Sequence, residues 1–479
     1  MSQNRWLNSL KKEWVVISLL FFSFILFVHL ALESEGSYGG ADAFLHYAMS
    51  RYLWSYPEGL LINHWGKPLF ILLSNPFAQW GYLGIQVFNI LCGVFAAWFS
   101  YTTAKKVGAT RPEVAPLFVL FGSLGVPVYL SGLTEPLFAL VLALALHFFT
   151  HQKYLLSALV ISFIVISRSE GLVIIVLFGL ALAALKQWKV LPYLLTGLVF
   201  ISVLNLIVEG DFFGYLSQMP FGNGFYGKGE MGHFLNYRDQ IFGVPFQIMI
   251  FCGFLLLVLN WPIFKSFYPY SVNLLLITAV FIGYFAAHSY VWWAGSGSSA
   301  GLIRVMVGIF PAAAIIAAVG THYFSTLKRW FKWDATWVPV LIVVFYQVQE
   351  PFKYQAVPTQ WGVEEQELIK AVNYLDSAYM HQPYVGYFNP TAPHLLEVDP
   401  FDSTLNVQVY KHTRSLWNKP GTVILFDNHF ATGEAGFSQV FFESDSTYKK
   451  LKTFQTNTAH KGNDGKPFKV ILYEKQALD

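Results

Sequence analysis

The sequence predicts a mainly helical membrane protein, in which a polytopic bundle of about eleven transmembrane helices is followed by a small α/β domain. Composition is the first observation: of 479 residues, 55% are hydrophobic and 12% are charged, whereas about 25% of an average soluble domain is charged. The second is the uneven spread of charge, because residues 349–479 hold 27 of the 59 Asp, Glu, Lys and Arg residues. A soluble enzyme and a disordered protein are excluded, since neither hides so much apolar surface from water.

Apolar stretches long enough for membrane helices fill the first 348 residues. Crossing the hydrocarbon as a helix takes about 20 largely apolar residues. A further apolar piece, 69–81, is a candidate for a membrane-surface or re-entrant segment. The predicted spans are 14–32, 82–104, 114–131, 135–150, 154–167, 171–187, 190–208, 243–261, 271–290, 302–323 and 335–348.

Basic residues predict the orientation of these spans, because Lys and Arg concentrate in cytoplasmic loops. With the N-terminus inside, thirteen basic residues of the membrane region fall on the cytoplasmic side and six on the opposite side. Ten of its thirteen acidic residues fall outside, which favours external chemistry, since acids contribute little to insertion. An odd number of spans then places residues 349–479 outside. The chain has no Asn-x-Ser/Thr sequon, which favours a bacterial cytoplasmic membrane with a periplasmic domain.

The first external loop, 33–68, is much longer than the usual helix-to-helix connection of about 2–8 residues. Asp42 and His46 are four residues apart in it, so on a helix they share one face. A carboxylate beside apolar surface has its charged form disfavoured, which suits a general base. The alternative role of Asp42 is to cap the helix that follows it. His64 and Lys67 come later in the same loop.

Three further polar segments begin or end predicted spans at the same outer level. They carry Glu135, the Arg168 and Glu170 pair, and the segment from His288 to Arg304. Such residues are costly near lipid unless they are paired or face water, so they are functional candidates. The planar guanidinium of Arg304 suits a phosphate. The alternatives are a structural pair of Arg168 with Glu170 or Glu135, and an Arg304 that reaches lipid headgroups.

These motifs together resemble those of the GT-C integral-membrane glycosyltransferases, in the protein-mannosyltransferase and aminoarabinose-transferase branch. The chain departs from that pattern in two places: Ala43 stands where many members have Glu, and Val305 where they have Tyr. The similar segments are Gly40–Tyr47 with the acidic loop motif, His64–Leu69 with the Lys-Pro-Pro-Leu segment, Ser167–Leu172 with the Arg/Lys-x-x-Gly turn, and Gly301–Pro311 with the late Arg-Tyr…Pro span.

The resemblance implies transfer of a sugar from a polyprenyl-phosphate donor to a hydroxyl of a lipid, glycan or protein acceptor. Asp42 would be the catalytic base, and the anomeric centre would invert. The absence of a second carboxylate at position 43 leaves a divalent metal open, and no other cofactor is implied. The residues expected to bind substrate are His46, His64, Lys67, Glu135, Arg168, Glu170, His288 and Arg304.

The expected division is a transmembrane catalytic region, 1–348, and an exoplasmic α/β domain, 349–479, that recognises the acceptor or a partner. In the domain, a helix is predicted over 364–376 and strands over 422–426, 468–474 and near 383–387. A second external loop, 209–242, is expected to cover the acceptor side. Four polar residues match no metal-ligand spacing and are assigned to turns and caps: Asp399, Asp402, Asp427 and His429.

Three other functions remain open from the sequence. A transporter or flippase of lipid-linked sugars would also need many spans and a phosphate-binding arginine. A ligase could transfer whole glycans from a polyprenyl diphosphate, and a non-enzymatic envelope protein could use the exposed domain to bind a partner. The net charge of +3 gives no indication of a nucleic-acid partner.

Overall fold

The computed structural model describes residues 3–217, 227–259, 270–296, 299–324, 337–379, 381, 383–457 and 459–477. The chain divides into two compact units. The first, the helical unit, comprises Met1–Ser34 and Pro57–Thr359. The second, the sheet unit, comprises Gln360–Asp479 together with Glu35–Tyr56, a piece of the first external loop. The sequence places the boundary near residue 349 and does not indicate that the loop piece joins the later unit.

Helices lie in every one of the eleven predicted apolar stretches, so the mainly helical fold is confirmed. The α-helices of the helical unit are Gln3–Leu32, Pro57–Leu60, Pro68–Ala78, Tyr82–Lys106, Val114–Phe121, Gly125–Tyr129, Glu135–Thr150, Tyr154–Ser162, Ile164–Ser167, Gly171–Ala184, Thr196–Glu209, Gly214–Ser217, His233–Asn236, Arg238–Phe242, Val244–Leu259, Tyr270–Ala294, Phe310–Gly320, Trp337–Gln349 and Pro351–Tyr354. Two 3₁₀ segments, Trp188–Leu195 and Ile303–Ile309, precede helices of this set.

Among the described residues, five helical segments are long and apolar enough to cross a membrane: Glu13–Leu32, Tyr82–Lys106, Trp188–Glu209, Ser271–Ala294 and Ile303–Phe324. Five shorter apolar helices accompany them. Some predicted spans are interrupted rather than continuous. The stretch 114–131 breaks at Gly122, which has an extended backbone, and the helix that ends at Glu209 starts as a 3₁₀ segment containing Pro192. Proline has no backbone N–H to donate, which favours such irregular starts.

The core of the helical unit surrounds the helix Phe310–Gly320, all of whose residues are buried. This helix packs against Val244–Leu259, Val114–Phe121 and Tyr82–Lys106. Six of its eleven residues are alanine or glycine, and small side chains let helices approach closely where the hydrophobic effect between them is weak. The 3₁₀ segment that carries Arg304 leads directly into this helix, so the buried core fixes its position.

The sheet unit contains a five-stranded mixed sheet, in the order β2-β1-β3-β5-β4. β1 is parallel to β2 and β3, and β5 is antiparallel to β3 and β4. The strands are β1 Val385–Tyr387, β2 Asn406–Gln408, β3 Val423–Asp427, β4 Tyr448–Gln455 and β5 Lys469–Lys475. The helices are Gly40–Arg51, Val363–Ala378, Ala392–Leu395, Arg414–Trp417, Phe430–Gly433 and Gln439–Glu443.

Both faces of the central strand β3 are buried, and alternate side chains of a strand point to opposite faces. Val423 and Leu425 pack in a cluster with the helix Val363–Ala378, whereas Ile424 and Phe426 pack with Trp417. The predicted α/β domain and its helix are confirmed. Strand β2 is an addition to the predicted strands. Strand β4 was not predicted because its outer edge carries lysines, as exposed edges often do.

Candidate functional site

The predicted base, Asp42, lies in the first turn of the helix Gly40–Arg51 of the sheet unit. The two residues before Ala41, Gly39 and Gly40, have φ values of 88° and 47°, a left-handed backbone that glycine adopts at little cost. Gly39 occupies the cap position, so Asp42 is the third residue of the helix rather than its cap. Helix N-termini favour negative charge, which suits a carboxylate at this position.

Two side chains of the sheet unit, those of His46 and Glu434, lie near Asp42. The ring of His46 is buried, and its Nδ1 donates a hydrogen bond of 2.7 Å to the backbone carbonyl oxygen of Asp42. Burial and then the charge of Asp42 raise the pKa of the Glu434 carboxyl, which therefore lies near it. Glu434 could not be predicted as a neighbour of Asp42, because it lies almost 400 positions further along the chain. A role for His46 in substrate binding stays a prediction.

In the helical unit, Arg168 is the centre of an ion-pair network. Its Nη1 lies 2.8 Å from Oε1 of Glu135 and donates a 3.0 Å hydrogen bond to Oγ1 of Thr134. Its Nη2 lies 2.8 Å from Oε1 of Glu170. Glu135 and Arg168 are 1% and 13% exposed. Both pairs of the structural alternative are therefore formed.

Arg304 joins the same network, since its Nε lies 3.4 Å from Oε1 of Glu135. A single buried carboxylate thus stands between two guanidinium groups that come from separate segments. We call Glu135, Arg168, Glu170 and Arg304 the arginine–glutamate cluster. An arrangement of this kind holds both arginines in fixed positions, which a site for an anion with several oxygens, such as a phosphate, requires.

Lys67 adds a further cation to this cluster. It precedes the helix Pro68–Ala78 with a φ of 58°, a strained conformation for a residue with a side chain. Burial raises the pKa of the Glu170 carboxyl, but the charges of Arg168 and, more weakly, Lys67 outweigh it, so that the pKa falls. Three cationic and two acidic side chains leave one net positive charge, which favours an anionic ligand.

His288 and Tyr284 lie one helical turn apart in the helix Tyr270–Ala294, beside the segment of Arg304. The hydroxyl of Tyr284 donates a 3.3 Å hydrogen bond to the carbonyl oxygen of Val305, and its ring centroid is 4.5 Å from that of His288. His288 is buried, and its Nε2 has no hydrogen-bond partner among the described residues. Tyr284 was not among the site residues predicted from the sequence, although its position four residues before His288 places both on one helix face.

His64 lies in a different environment from the other predicted site residues. Its ring stacks on that of Tyr215, with 3.7 Å between centroids and 20° between planes. Tyr215 itself packs with Ile62, Ile166 and Ile201. Burial lowers the pKa of His64, so its ring is neutral at neutral pH. A substrate contact by His64 stays a prediction, and the structure gives its ring a packing role.

The described part of the second external loop packs against the segment before Arg304. The Gly229 N–H donates a 3.1 Å hydrogen bond to the carbonyl oxygen of Trp292, and the Nε2 of His233 lies 2.7 Å from that of Gly301. A Cβ on Gly229 would overlap the indole Nε1 of Trp292, and one on Gly301 would lie 2.8 Å from the same ring. Residues 218–226 of this loop, and 297–298 of the glycine-rich loop, lie outside the described residues.

Gly229 should not tolerate a side chain, because there is no space beside Trp292. We expect Gly229→Ala to lower the free energy of unfolding by about 1–3 kcal/mol, the usual cost of an overpacked position. Gly232→Ala is the matched control, since its φ is −80° and the nearest atoms are 3.9 Å away. Thermal unfolding in detergent measures both, and equal midpoints for the two variants would contradict this packing.

Of the four polar residues that match no ligand spacing, the three aspartates form turns and caps, whereas the side chain of His429 pairs with Glu364. Asp399 accepts from the Phe401 N–H, Asp402 from that of Thr404, and Asp427 from those of His429 and Phe430. These are the local bonds by which aspartates stabilise turns. Among the described residues, no group of three or more His, Cys, Asp or Glu side chains is arranged to hold a metal ion.

Comparison with solved structures identifies the fold. No family model and no curated protein matches the chain. The crystal structure of ArnT from Cupriavidus metallidurans bound to undecaprenyl phosphate is similar over 98% of both chains, with a TM-score of 0.55 and 11% identity. The apo structure of the same ArnT is similar over 97% of this chain and 98% of its own, with a TM-score of 0.58 and 10% identity.

A third similar structure is the oligosaccharyltransferase of Archaeoglobus fulgidus tethered to an acceptor peptide. The match covers 88% of this chain and 70% of the archaeal one, with a TM-score of 0.53 and 11% identity. The likeness to ArnT spans the helices and the C-terminal sheet together. The chain therefore has the fold of the GT-C membrane glycosyltransferases, as its motifs predict.

Proposed function

We propose that the protein is a membrane glycosyltransferase that moves a sugar from a polyprenyl-phosphate donor to an acceptor hydroxyl on the outer side of the membrane. The observation that carries this proposal is the buried arginine–glutamate cluster, whose net positive charge with Lys67 suits a phosphate. ArnT, which has the same fold, binds undecaprenyl phosphate. A bacterial cytoplasmic membrane, with the N-terminus inside and residues 349–479 in the periplasm, is part of the proposal.

In the proposed reaction, Asp42 is the general base. It takes the proton of the acceptor hydroxyl while that oxygen attacks the anomeric carbon of the sugar. The bond from this carbon to the phosphate oxygen breaks on the opposite face, so the configuration inverts and polyprenyl phosphate leaves. A positioned base of this kind contributes about 100- to 10,000-fold to a rate.

The cations of the cluster stabilise the leaving group. Negative charge grows on the phosphate as the bond breaks, and groups that are already oriented towards it lower the barrier without reorganising. Arg304 and Arg168 would bind the phosphate oxygens, with Lys67 adding charge, while Glu135 and Glu170 hold the two guanidinium groups. His46, His64 and His288 would orient the donor or the acceptor, and the sheet unit would recognise the acceptor.

A direct assay tests this proposal. The purified protein is incubated with a panel of radiolabelled polyprenyl-phosphate sugars and candidate acceptors, and both free lipid phosphate and sugar product are measured. Transfer of label with release of lipid phosphate supports the proposal. Release without any transfer product indicates hydrolysis, and no release across the panel indicates transport or scaffolding; either result contradicts it.

Arg304→Ala should weaken use of the donor rather than of the acceptor. Hydrogen bonds to charged groups contribute about 1.5–3 kcal/mol, so we expect the KM for the donor to rise by about tenfold to 100-fold. The KM for the acceptor should stay within about twofold of that of the unmodified protein. Arg238→Ala is the control, because this arginine is exposed in the second loop. Equal losses for both substrates would show that Arg304 is only structural.

A flippase of lipid-linked sugars is the second candidate, and the interrupted helices favour it. Transporters use broken helices at their binding sites, and Val114–Phe121 and Gly125–Tyr129 form one such interrupted pair. A flippase moves a fluorescent polyprenyl-phosphate sugar across vesicles without cleaving it. A glycosyltransferase releases the lipid phosphate instead, so the two functions give opposite results in the same vesicles.

A further inference from the structure

The helix that carries Asp42 is held within the sheet unit by aromatic stacking. Phe44 is 2% exposed, and its ring centroid lies 4.3 Å from that of His394, with 20° between the planes. The same Phe44 ring stacks on Trp361 at 5.6 Å and 25°. Tyr47, one turn later, meets the His394 ring edge-on at 5.8 Å and 87°. The ring of His394 thus contacts both Phe44 and Tyr47, the two aromatic residues on this face of the helix.

Close contacts at two glycines fix the path of the chain into this helix. A Cβ on Gly36 would lie 2.6 Å from the carbonyl oxygen of Gln360, and one on Gly40 would lie 2.6 Å from Oε1 of Glu365. After the helix, the Tyr56 hydroxyl donates a 3.0 Å hydrogen bond to Oδ2 of Asp399. The segment is therefore tied at both ends, and the Phe44 stack fixes its middle.

His394 acts as an uncharged aromatic ring in this packing. Burial, and then the charge of Arg51, lower the pKa of His394 to about 4. The ring is therefore neutral at neutral pH, and a phenyl ring is a suitable replacement for it. This property makes a conservative variant available that keeps the stack and removes the ring nitrogens.

The geometry of the helix connects the stack to Asp42. Successive positions of an α-helix are separated by about 100° around its axis, so positions two residues apart are separated by about 200°. Phe44 lies two residues after Asp42, so the face that packs on His394 is roughly opposite the face that carries the carboxylate. Asp42 is accordingly half-buried, whereas Phe44 is buried. A tilt or rotation of this helix on His394 moves the Asp42 carboxylate directly.

We propose that His394 is a positioning residue for Asp42, whose ring, stacked on Phe44, sets the rotation and height of the helix that presents the proposed base. The proposal rests on the proposed function, because Asp42 is taken as the base. Displacing a reacting group by about 1 Å can cost about 100-fold in rate. Loss of the ring should therefore reduce turnover although His394 does not touch the substrate.

His394→Ala and His394→Phe test this inference in the full-length protein. We expect His394→Ala to lower kcat by about tenfold or more, with the KM for the donor unchanged, and His394→Phe to restore kcat to within about threefold. Hydrogen exchange of the amides of residues 40–51 should become faster in the alanine variant only. His412→Ala is the matched control, because that histidine is exposed and stacks on Tyr410 in the same unit.

The two measurements, kcat and the hydrogen exchange of residues 40–51, separate this inference from the proposed function. Unchanged exchange of residues 40–51 in His394→Ala overturns the inference, whatever the activity. Faster exchange in His394→Ala with normal kcat also overturns it, because the helix would then move without affecting the base. If the unmodified protein transfers no sugar, the proposed function fails, while the exchange data still report whether His394 holds the helix. Failure of His394→Phe to rescue would assign the effect to the ring nitrogens and not to stacking.

Discussion

Replacing Asp42 with asparagine should lower kcat by about 100- to 10,000-fold, the contribution of a positioned general base. Asparagine has nearly the same size and can make similar hydrogen bonds, but it cannot take a proton from the acceptor hydroxyl. The substitution changes neither the cap residue nor the packing face of the helix Gly40–Arg51, so this helix should remain folded. The measurement is the rate of sugar transfer at saturating donor, together with binding of undecaprenyl phosphate to the same variant.

Asp402→Asn is the matched control for this experiment. Asp402 lies in the same unit and is half-buried, and its carboxylate accepts hydrogen bonds from the N–H and the hydroxyl of Thr404 in its own turn. We expect its kcat to equal that of the unmodified protein. Lipid-phosphate binding should be the same in Asp42→Asn and in the unmodified protein, since the proposed phosphate ligands belong to the helical unit. Normal turnover by Asp42→Asn would refute the assignment of the base.

Replacing Glu135 with glutamine should give the largest loss of stability. The carboxylate is 1% exposed and lies between the guanidinium groups of Arg168 and Arg304. Removing one partner from a buried ion pair leaves uncompensated charge and costs about 3–5 kcal/mol. We therefore expect Glu135→Gln to lower the unfolding midpoint in detergent clearly and to weaken binding of undecaprenyl phosphate, because both arginines lose the group that orients them.

Glu170→Gln is the control for the buried charge. Glu170 also pairs with Arg168, but 27% of its side chain is exposed. Water therefore screens the charge that remains after the substitution, and we expect the smaller cost of a partly exposed pair, about 1 kcal/mol or less. A Glu135→Gln variant as stable as the unmodified protein would show that Glu135 does not hold the two arginines in place.

The ends of the predicted spans explain why much of the polar cluster was predictable. Each member of the arginine–glutamate cluster begins or follows an apolar run. Because successive predicted spans cross the membrane in opposite directions, the prediction places all four members at the same membrane surface. The pairs of Arg168 with Glu170 and Glu135 were an alternative already given by the sequence, but the contact of Glu135 with Arg304 could not be predicted. The shared role of Glu135 depends on how the helix Glu135–Thr150 packs against the 3₁₀ segment of Arg304, and such packing has no periodic pattern in the sequence.

The grouping of the first external loop with the sheet unit could not be predicted for a different reason. Its contacts join Phe44 to His394 and Tyr56 to Asp399, residues more than 300 positions apart. They are stacking and hydrogen-bond contacts between short irregular segments, which no amphipathic period indicates. The spacing of Asp42 and His46 is a local signal, and it predicts only that the two residues would share one face if the segment were a helix.

The interrupted spans show a related limit of hydropathy. Composition alone located all eleven apolar stretches. It cannot show where one residue within such a stretch adopts a non-helical backbone and interrupts the helix. Gly122 ends one helix with an extended backbone, and Pro192 lies in a 3₁₀ segment. Local backbone geometry of this kind depends on neighbours such as Phe310, whose ring lies against Gly122.

The discontinuous sheet unit has a consequence for biosynthesis. Residues 35–56 leave the ribosome early, but the residues they pack against, from Gln360 onward, are translated much later. The segment with the proposed base therefore cannot pack until those later residues have been made. A nascent chain that stops before Gln360 would contain the helical unit but lack the packing partners of this segment, so the proposed sugar transfer would begin only after the sheet unit has formed.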